Sequence, residues 1–467
     1  MAVSLWVTLG VSLAASLGMS AAPAVADPQG TTDKVVSVSP AQARQIAAEA
    51  LVRQDAALAA QIAKSLIERD PADADAHYTL ARALGQLQQF PDGRRAARLA
   101  YRHATNDVNK FYAAQLAAEH SIADGAPLRG QYWLRRSLIS SPSDQHRAQV
   151  IEDYRTLRIL SPWTLNGRFL VAPSSNLNNG ASDDRALIDG VPIFGILSGS
   201  AQALSGTRST ADISLSYRLS RSKTHMTAVS AQYFGQRVSL SDEAKLLAPS
   251  VSNADLSFDR LELRLNHDKA QGAGVLSYEA GIGRSWYGGD AYQNLYHLGL
   301  SHRRSLRPDT SLQLSSRLSH RVTLSGNFEP VSALDVQANL SRKLTSGDRL
   351  TLGVALHGAQ SDTANSRLNR TTGYVNYSLA KPIGPATISA KLGATRQNLP
   401  DYSFGVITVP GGRKDNTVFG SMDLTFKGLD YAGFVPSLRV QVRKTRSNVS
   451  KFQTNETSVS LGVTSSF

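Results

Sequence analysis

Apolar positions change their period once along this chain of 467 residues. Between residues 39 and 160 they recur at spacings of three and four, as in Leu80, Leu84 and Leu87, which is the period of a helix. From Pro162–Trp163 onward they alternate with polar residues, as in Leu350, Leu352, Val354 and Leu356, which is the period of a strand. The pattern therefore predicts a multi-domain α + β chain, with a helical part followed by a part built from strands.

The helical part contains evenly spaced boundaries at Asp70–Pro71, Thr105–Asn106 and Ser141–Pro142, which are 35 and 36 residues apart. Paired helices with a period of about 34 residues are typical of tetratricopeptide repeats, and such a stack would offer a concave surface to a partner. The alternative is an alanine-rich helical bundle without repeat geometry.

The second part contains fourteen alternating segments, which is the even number expected of an outer-membrane barrel of about 14 strands. Short turns alternate with long polar loops, as in an antiparallel barrel. The segments are centred near Phe169, Leu215, Val229, Leu263, Tyr278, Leu298, Leu314, Val336, Val354, Tyr377, Ile388, Leu424, Val440 and Leu461. The alternative, a pair of soluble sandwiches, is disfavoured because the apolar faces are thin and the opposite faces carry Arg and Asp.

The two ends of the chain carry signals of export and assembly. Residues 1–26 have no charged side chain and end in Ala24-Val25-Ala26, which predicts a signal peptide cleaved after Ala26. The alternative is an N-terminal membrane anchor. We expect Phe467, on the last apolar face, to be the signal that the outer-membrane assembly machinery recognises. The expected domains are 1–26 signal peptide, 27–160 periplasmic helical repeats and 161–467 transmembrane barrel.

Composition excludes several kinds of chemistry. The chain has no cysteine, so disulfides and thiolate metal sites are excluded. Glycine-rich phosphate loops and nucleophile elbows are absent from the sequence. His297 and His302 are five residues apart on one predicted strand, so they would face opposite ways. We therefore expect no enzymatic activity, cofactor or metal, and no nucleic-acid partner.

Charge is concentrated in the barrel half. Of the formal net charge of +13, residues 27–160 contribute +2 and residues 161–467 contribute +11. Alternation predicts that six basic residues face the lumen and line a substrate path: Arg218, Arg264, Arg317, Lys391, Arg439 and Arg443. Facing lipid would cost an arginine about 2–4 kcal/mol at mid-membrane. The lumen could conduct an anionic or polar substrate, or it could be filled by ion pairs.

The sequence also predicts which basic residues meet the membrane surface, and it predicts a lumen that has no aromatic rings. Arg303, Arg304, Arg307 and Arg413–Lys414 stand at predicted strand ends, where outer-membrane lipid and lipopolysaccharide headgroups would contact them. The predicted inward faces carry Arg, Ser, Thr and Asn. Sugar conduits favour aromatic rings for stacking, so this composition favours a protein as the transported molecule.

The segment Ala172-Pro173-Ser174-Ser175-Asn176-Leu177-Asn178-Asn179-Gly180-Ala181 resembles the stretch that follows the first barrel strand in the surface lipoprotein assembly modifier family. Residues 446–467 are similar to that family's last hairpin. The resemblance implies an outer-membrane translocator of a client protein, either a surface lipoprotein or a secreted binding protein. Its helical repeats would engage the client or a periplasmic chaperone. The alternatives are a polysaccharide-export porin and a diffusion porin with an accessory domain.

Overall fold

The computed structural model describes residues 38–182, 185–189, 191–326, 328–404 and 407–465. The predicted signal peptide with its cleavage at Ala26, and the predicted assembly signal Phe467, lie outside the described residues.

Seven helices occupy the first part of the described chain and end just before the first strand. Polar N-cap side chains begin most of them; Ser39, for example, forms a reciprocal capping box with Gln42. The helices are α1 (Pro40–Val52), α2 (Ala56–Arg69), α3 (Ala74–Gln86), α4 (Phe90–His103), α5 (Asp107–Ala123), α6 (Pro127–Ile139) and α7 (Asp144–Leu160). Each helix packs against the next, so the region is a row of antiparallel hairpins.

Small residues fill the helical core and let the helices approach closely. The main cluster joins α3 to α7 and includes Ala97, Ala117 and the fully buried Leu138. His120 is buried in the same region, and its Nε2 lies 3.0 Å from the carbonyl oxygen of Ala81. Burial lowers the pKa of His120 below its usual value of 6.5, which favours the neutral imidazole.

Fourteen described strands close into an antiparallel barrel. They are β1 (Trp163–Ser174), β4 (Gly206–Arg221), β5 (His225–Leu240), β6 (Phe258–Gln271), β7 (Gly274–Tyr287), β8 (Asp290–Arg307), β9 (Thr310–Thr323), β10 (Val331–Lys343), β11 (Arg349–Gln360), β12 (Leu368–Ser378), β13 (Thr387–Leu399), β16 (Arg413–Thr425), β17 (Phe434–Ser447) and β18 (Thr454–Ser465); β2, β3, β14 and β15 lie in the loops. Around the barrel the order is β1-β18-β17-β16-β13-β12-β11-β10-β9-β8-β7-β6-β5-β4. All fourteen strand centres predicted from the sequence fall within these strands, so the predicted architecture is confirmed.

The two ends of the barrel differ in the links between their strands. The end where β1 follows the helices, called the helix end below, has short links such as 222–224, 272–273 and 308–309. The opposite end, called the loop end, has long ones such as 175–205 and 241–257. Three elements in these loops were not predicted: the hairpins β2 (Arg185–Ile188) with β3 (Val191–Ile196) and β14 (Ser403–Phe404) with β15 (Ile407–Thr408), and the helix α8 (Asp242–Leu247).

Aliphatic side chains form an exposed belt around the barrel. Leu263, Leu298 and Leu392 are each at least half exposed, although they lie in the middle of long strands. Large apolar residues remain exposed in such a continuous band only where lipid covers them. Among the described residues, no helix is both long enough and apolar enough to cross a membrane.

Candidate functional site

Strand pairing identifies which side chains face the lumen. Leu263 pairs with Ala231 and Ile282 on the lipid-facing side, so the neighbouring Arg264 faces inward. The same alternation places all six predicted basic residues on the inward face: Arg218, Arg264, Arg317, Lys391, Arg439 and Arg443. Five of them lie along the lumen wall, whereas Arg218 lies at the helix end.

A row of charged and polar side chains crosses seven neighbouring strands inside the barrel, from β7 to β13, and continues onto β16. Only Gly299 on β8 interrupts the row, which otherwise consists of Glu279, Arg317, Asp335, His357, Arg370, Gln397 and Asp415. Arg317 Nη2 donates to Glu279 Oε1 at 2.6 Å, and His357 Nδ1 lies 2.7 Å from Asp335 Oδ1. Gln397 links its neighbours by accepting from Arg370 at 2.8 Å and donating to Asp415 at 3.1 Å.

Basic residues outnumber acidic ones on the described lumen face. Inward acidic positions on the barrel strands include Asp212, Glu262, Asp268, Glu279, Asp335, Asp415, Asp423 and Glu456. Inward basic positions include Arg168, Arg208, Arg218, Arg260, Arg264, Arg303, Arg317, Arg321, Arg370, Lys391, Arg439 and Arg443. Some are paired, such as Arg439 with Asp423 at 2.5 Å. The unequal totals still leave a positive lumen wall.

The lumen also contains aromatic rings, so the expectation of inward faces without them was wrong. Tyr374 faces inward and its ring covers Gly353, while the ring of Phe419 covers Gly393. A side chain on either glycine would collide with the ring opposite, so the rings lie flat against the wall. Lys391 Nζ stands 3.8 Å from the Tyr374 ring centre, a cation–π contact. Glycines opposite aromatic residues were the sequence signal that we missed.

Two arginines tie the last helix to the first two barrel strands at the helix end. Arg218 donates to the carbonyl oxygens of Ile159 and Leu160, at 3.1 and 3.0 Å, and so satisfies the C-terminus of α7. Arg158 in α7 donates to Asn166 of β1 at 2.8 Å. Arg218 therefore has a structural contact at the mouth of the barrel, in addition to its inward position.

Two further arginines tie the helices to the turn between β16 and β17. Arg135 donates to the carbonyl oxygens of Ala432 and Gly433 at 3.1 and 3.0 Å. Both residues have positive φ angles, of 53° and 77°, within the turn. Arg147 forms an ion pair of 2.5 Å with Asp430. The helical region is thus held across the mouth of the barrel at two separate places.

Two of the strand-end arginines expected to meet lipid headgroups lie elsewhere. Arg303 faces the lumen and donates to Gln313 at 3.4 Å. Arg413 stacks 3.3 Å from the centre of the Phe452 ring and pairs with Asp415 at 2.7 Å. Its side chain is only 13 % exposed. Sequence alternation could not show the burial of Arg413, because Phe452, which covers its side chain, comes from a loop distant in the chain.

The segment that carries the family resemblance forms a clamp at the loop end, called the asparagine clamp below. Buried Asn176 donates a hydrogen bond from Nδ2 to the carbonyl oxygen of Gly180 and accepts one at Oδ1 from the Gly180 N–H, each at 2.8 Å. Asn178 donates to the carbonyl oxygens of Ser200 and Gln202, at 2.9 and 2.8 Å. A side chain on Gly180 would lie 2.1 Å from the Gln202 carbonyl oxygen. These residue types therefore close the base of the first long loop.

Within the described residues, no group of three or more His, Asp or Glu side chains could hold a metal ion. No protein-family profile matches the chain. No curated protein sequence matches it either.

Solved structures show only distant likeness. The outer-membrane channel DcaP of Acinetobacter baumannii aligns at 9 % identity and a TM-score of 0.37, over 65 % of this chain and 97 % of that one. CdiB from Acinetobacter baumannii aligns at 12 % identity and 0.35, over 64 % and 60 %. The chaperone SycD of Yersinia enterocolitica aligns at 13 % identity and 0.24, over 29 % and 96 %. Such low scores leave the geometry of the chain itself as the basis for its function.

That geometry defines an outer-membrane protein. A closed antiparallel barrel with an aliphatic belt outside and polar side chains inside pairs the backbone of its strands within the protein, as lipid requires, and occurs in bacterial outer membranes. In such barrels the short links face the periplasm, so the helices at the helix end lie in the periplasm.

Proposed function

We propose that the protein is an outer-membrane translocator that moves a client protein from the periplasm to the cell surface. Its helical hairpins, interpreted as tetratricopeptide-like repeats, would receive the client or a periplasmic chaperone carrying it. The family resemblance of residues 172–181 suggests that the client is a surface lipoprotein or a secreted binding protein. No reaction is required of the chain, since folding of the client outside the cell could provide direction.

One observation carries the proposal: the helical region is fastened across the periplasmic mouth of a polar, basic barrel. Arg158 and Arg218 fasten one side of that mouth, and Arg135 and Arg147 fasten the other. Passive diffusion of small solutes needs no docking surface at the entrance. A receptor for an unfolded or chaperone-bound chain does need one, and the lumen behind it offers polar partners throughout.

Deletion of the gene tests this function directly. Intact cells with and without the gene are labelled by a membrane-impermeant biotin reagent, and their surface proteins are compared by mass spectrometry. We expect one or a few exported proteins to lose at least tenfold of their surface signal and to accumulate in the periplasmic fraction. An unchanged set of surface proteins would contradict translocation.

The role of the lumen arginines in transport can be tested in cells that contain normal amounts of the folded barrel. Changing Arg264, Arg317 and Arg439 together to Gln should leave insertion intact, because water solvates either side chain, while reducing surface display of the affected protein. The matched control changes Arg304, Arg342 and Arg396 to Gln, which face outward by register and remove the same charge. Equal display in both triple variants would show that the inward arginines only fill space.

A polysaccharide-export porin is the second candidate, and the lumen aromatics favour it. The rings of Tyr374 and Phe419, with Lys391 beside them, resemble a stacking surface for an acidic sugar. Tyr374→Ala and Phe419→Ala should then reduce export of cell-surface polysaccharide, measured as uronic acid on washed cells. For a protein translocator, the same variants should leave polysaccharide unchanged.

A further inference from the structure

The barrel is closed by one short seam. Among the described residues, β1 and β18 pair only between residues 168–171 and 461–464, which makes four residue pairs. Every other pair of neighbouring barrel strands in the described chain forms ten or more. Above the seam, towards the loop end, β1 and β18 continue as strands without pairing. Within the described residues, β1 and β18 therefore share fewer main-chain hydrogen bonds than any other neighbouring pair, and strand pairing is absent from their loop-end residues 172–174 and 458–460.

The asparagine clamp holds the loop end of β1 on the side of β4. It fixes the chain directly after β1 to residues 200–204, next to β4, through Asn178. Arg208 of β4 also donates to the carbonyl oxygen of Asn176 at 3.2 Å. All these partners lie on the β4 side of β1. The loop end of β1 is thus bonded to the β4 side, while its residues 172–174 have no pairing with β18.

The separated strands border a cavity of about 560 Å³. Its lining combines lipid-facing Thr457 and Val459 of β18 with Ser174 and Leu240, which lie on the inward side. The full lining is Pro173, Ser174, Ser175, Ser205, Gly206, Thr207, Ser239, Leu240, Ser241, Thr457 and Val459. None of these side chains is charged, although the barrel half has a net charge of +11.

Contacts on both sides of the seam join it to the rest of the molecule. Above it, the β2–β3 hairpin reaches the loop before β18, where Leu187 N donates to Ser450 Oγ at 2.7 Å and Asp189 N to the Asn448 carbonyl oxygen at 2.8 Å. Below it, the helices contact β1 through Arg158 and the β16–β17 turn through Arg147. The helical region therefore spans the two flanks of the seam.

We propose that this seam is a lateral exit through which the acyl-bearing lipid anchor of a client passes from the lumen into the outer leaflet. The inference rests on the proposed function and names the chemistry of its passenger. Hydroxyl groups suit the glyceryl part of the anchor, and the opening to lipid suits its acyl chains. The uncharged lining disfavours the phosphate groups of lipopolysaccharide and a charged peptide, because a buried unpaired charge is costly.

A photo-crosslinking experiment tests the exit in nanodiscs that contain the full chain. p-Benzoylphenylalanine replaces Thr457 at the cavity or, as a control for ordinary lipid contact, Val418 on the lipid face of β16. The probe is a fluorescent peptide carrying a dipalmitoylglyceryl cysteine. We expect at least fivefold more labelling at position 457 than at position 418, and no such excess for the same peptide without acyl chains.

Closing the seam should remove that excess. Because the chain has no cysteine, the pair Ala172→Cys and Ser460→Cys gives one defined disulfide across the separated strands. The control pair, Phe169→Cys and Val463→Cys, lies within the existing pairing on the lipid-facing side and should leave labelling unchanged. Ser175→Trp fills the cavity without oxidation and should also lower labelling to the level at position 418.

Three results would overturn the inference: equal labelling at both positions, labelling that survives both kinds of closure, or loss of labelling when purified lipid A is added at an equal concentration. The last would assign the cavity to a resident lipid. Failure of translocation is a separate outcome, because it would appear as an unchanged surface proteome in cells that lack the gene, whatever the probe does.

Discussion

The helical region and the barrel use the same apolar residue in opposite ways. Leu138 in α6 is 2 % exposed and packs among other helices, whereas Leu392 in β13 is 59 % exposed and forms part of the outer belt. In the helices, apolar burial within the protein supplies stability. In the barrel, the strand ladder and the surrounding lipid replace a packed core. The difference shows that one chain has two independent sources of stability.

This comparison predicts that replacing a leucine by alanine causes a large loss of stability in the helical region and only a small one in the barrel. Leu138→Ala should destabilise the helices by about 2–5 kcal/mol, since it opens a cavity in a packed cluster. Leu392→Ala should change little, since lipid fills the space. Melting of the circular dichroism signal at 222 nm follows the helices, and heat-modifiable gel mobility follows the barrel. A similar loss in both variants would contradict the separation.

An introduced arginine should impair insertion of the barrel when it faces lipid and should be tolerated when it faces the lumen. Leu263→Arg, Leu314→Arg or Val440→Arg should each impair insertion by about 2–4 kcal/mol, because each side chain faces lipid. The control Ser315→Arg lies next to Leu314 on the inward face of the same strand, opposite Ser301 and Gln337, and should insert normally. Folded barrel recovered from membranes is the measurement. Normal insertion of all three lipid-face variants would mean that the assigned faces are wrong.

Sequence periodicity was sufficient for the architecture because lipid and water solvate opposite strand faces, so every strand carries its own alternation. The inward position of Arg317 followed from the same rule. The contacts of Arg413 with Phe452, of Arg218 with the end of α7, and of Tyr374 with Gly353 did not follow. Each depends on strand register or on a loop distant in sequence, which single-strand alternation does not specify.

The junction between the two regions should depend on charge rather than on apolar burial. Arg147→Asp should weaken docking of the helices by about 1.5–3 kcal/mol, the usual contribution of a charged hydrogen bond, and should leave both regions folded. Faster cleavage between α7 and β1 by a protease measures the release. The exchange variant Arg147→Asp with Asp430→Arg should restore slow cleavage. Unchanged cleavage in the single variant would show that Arg135 alone holds this flank.

The smallest expected effect is a pH dependence confined to the helices. His120 is buried against the Ala81 carbonyl group, and burial lowers the pKa of its imidazole below 6.5. The unfolded chain therefore takes up a proton at a higher pH than the folded chain does. Stability from neutral His120 is complete above about pH 6.5 and decreases as pH falls through the lowered pKa. The helical melting temperature should fall over that range, while heat-modifiable mobility of the barrel stays constant.

The control variant His120→Gln can still donate a hydrogen bond to the Ala81 carbonyl group but does not titrate, so it should flatten the decline of the melting temperature. A decline of the same size in that variant would assign the pH dependence to other groups.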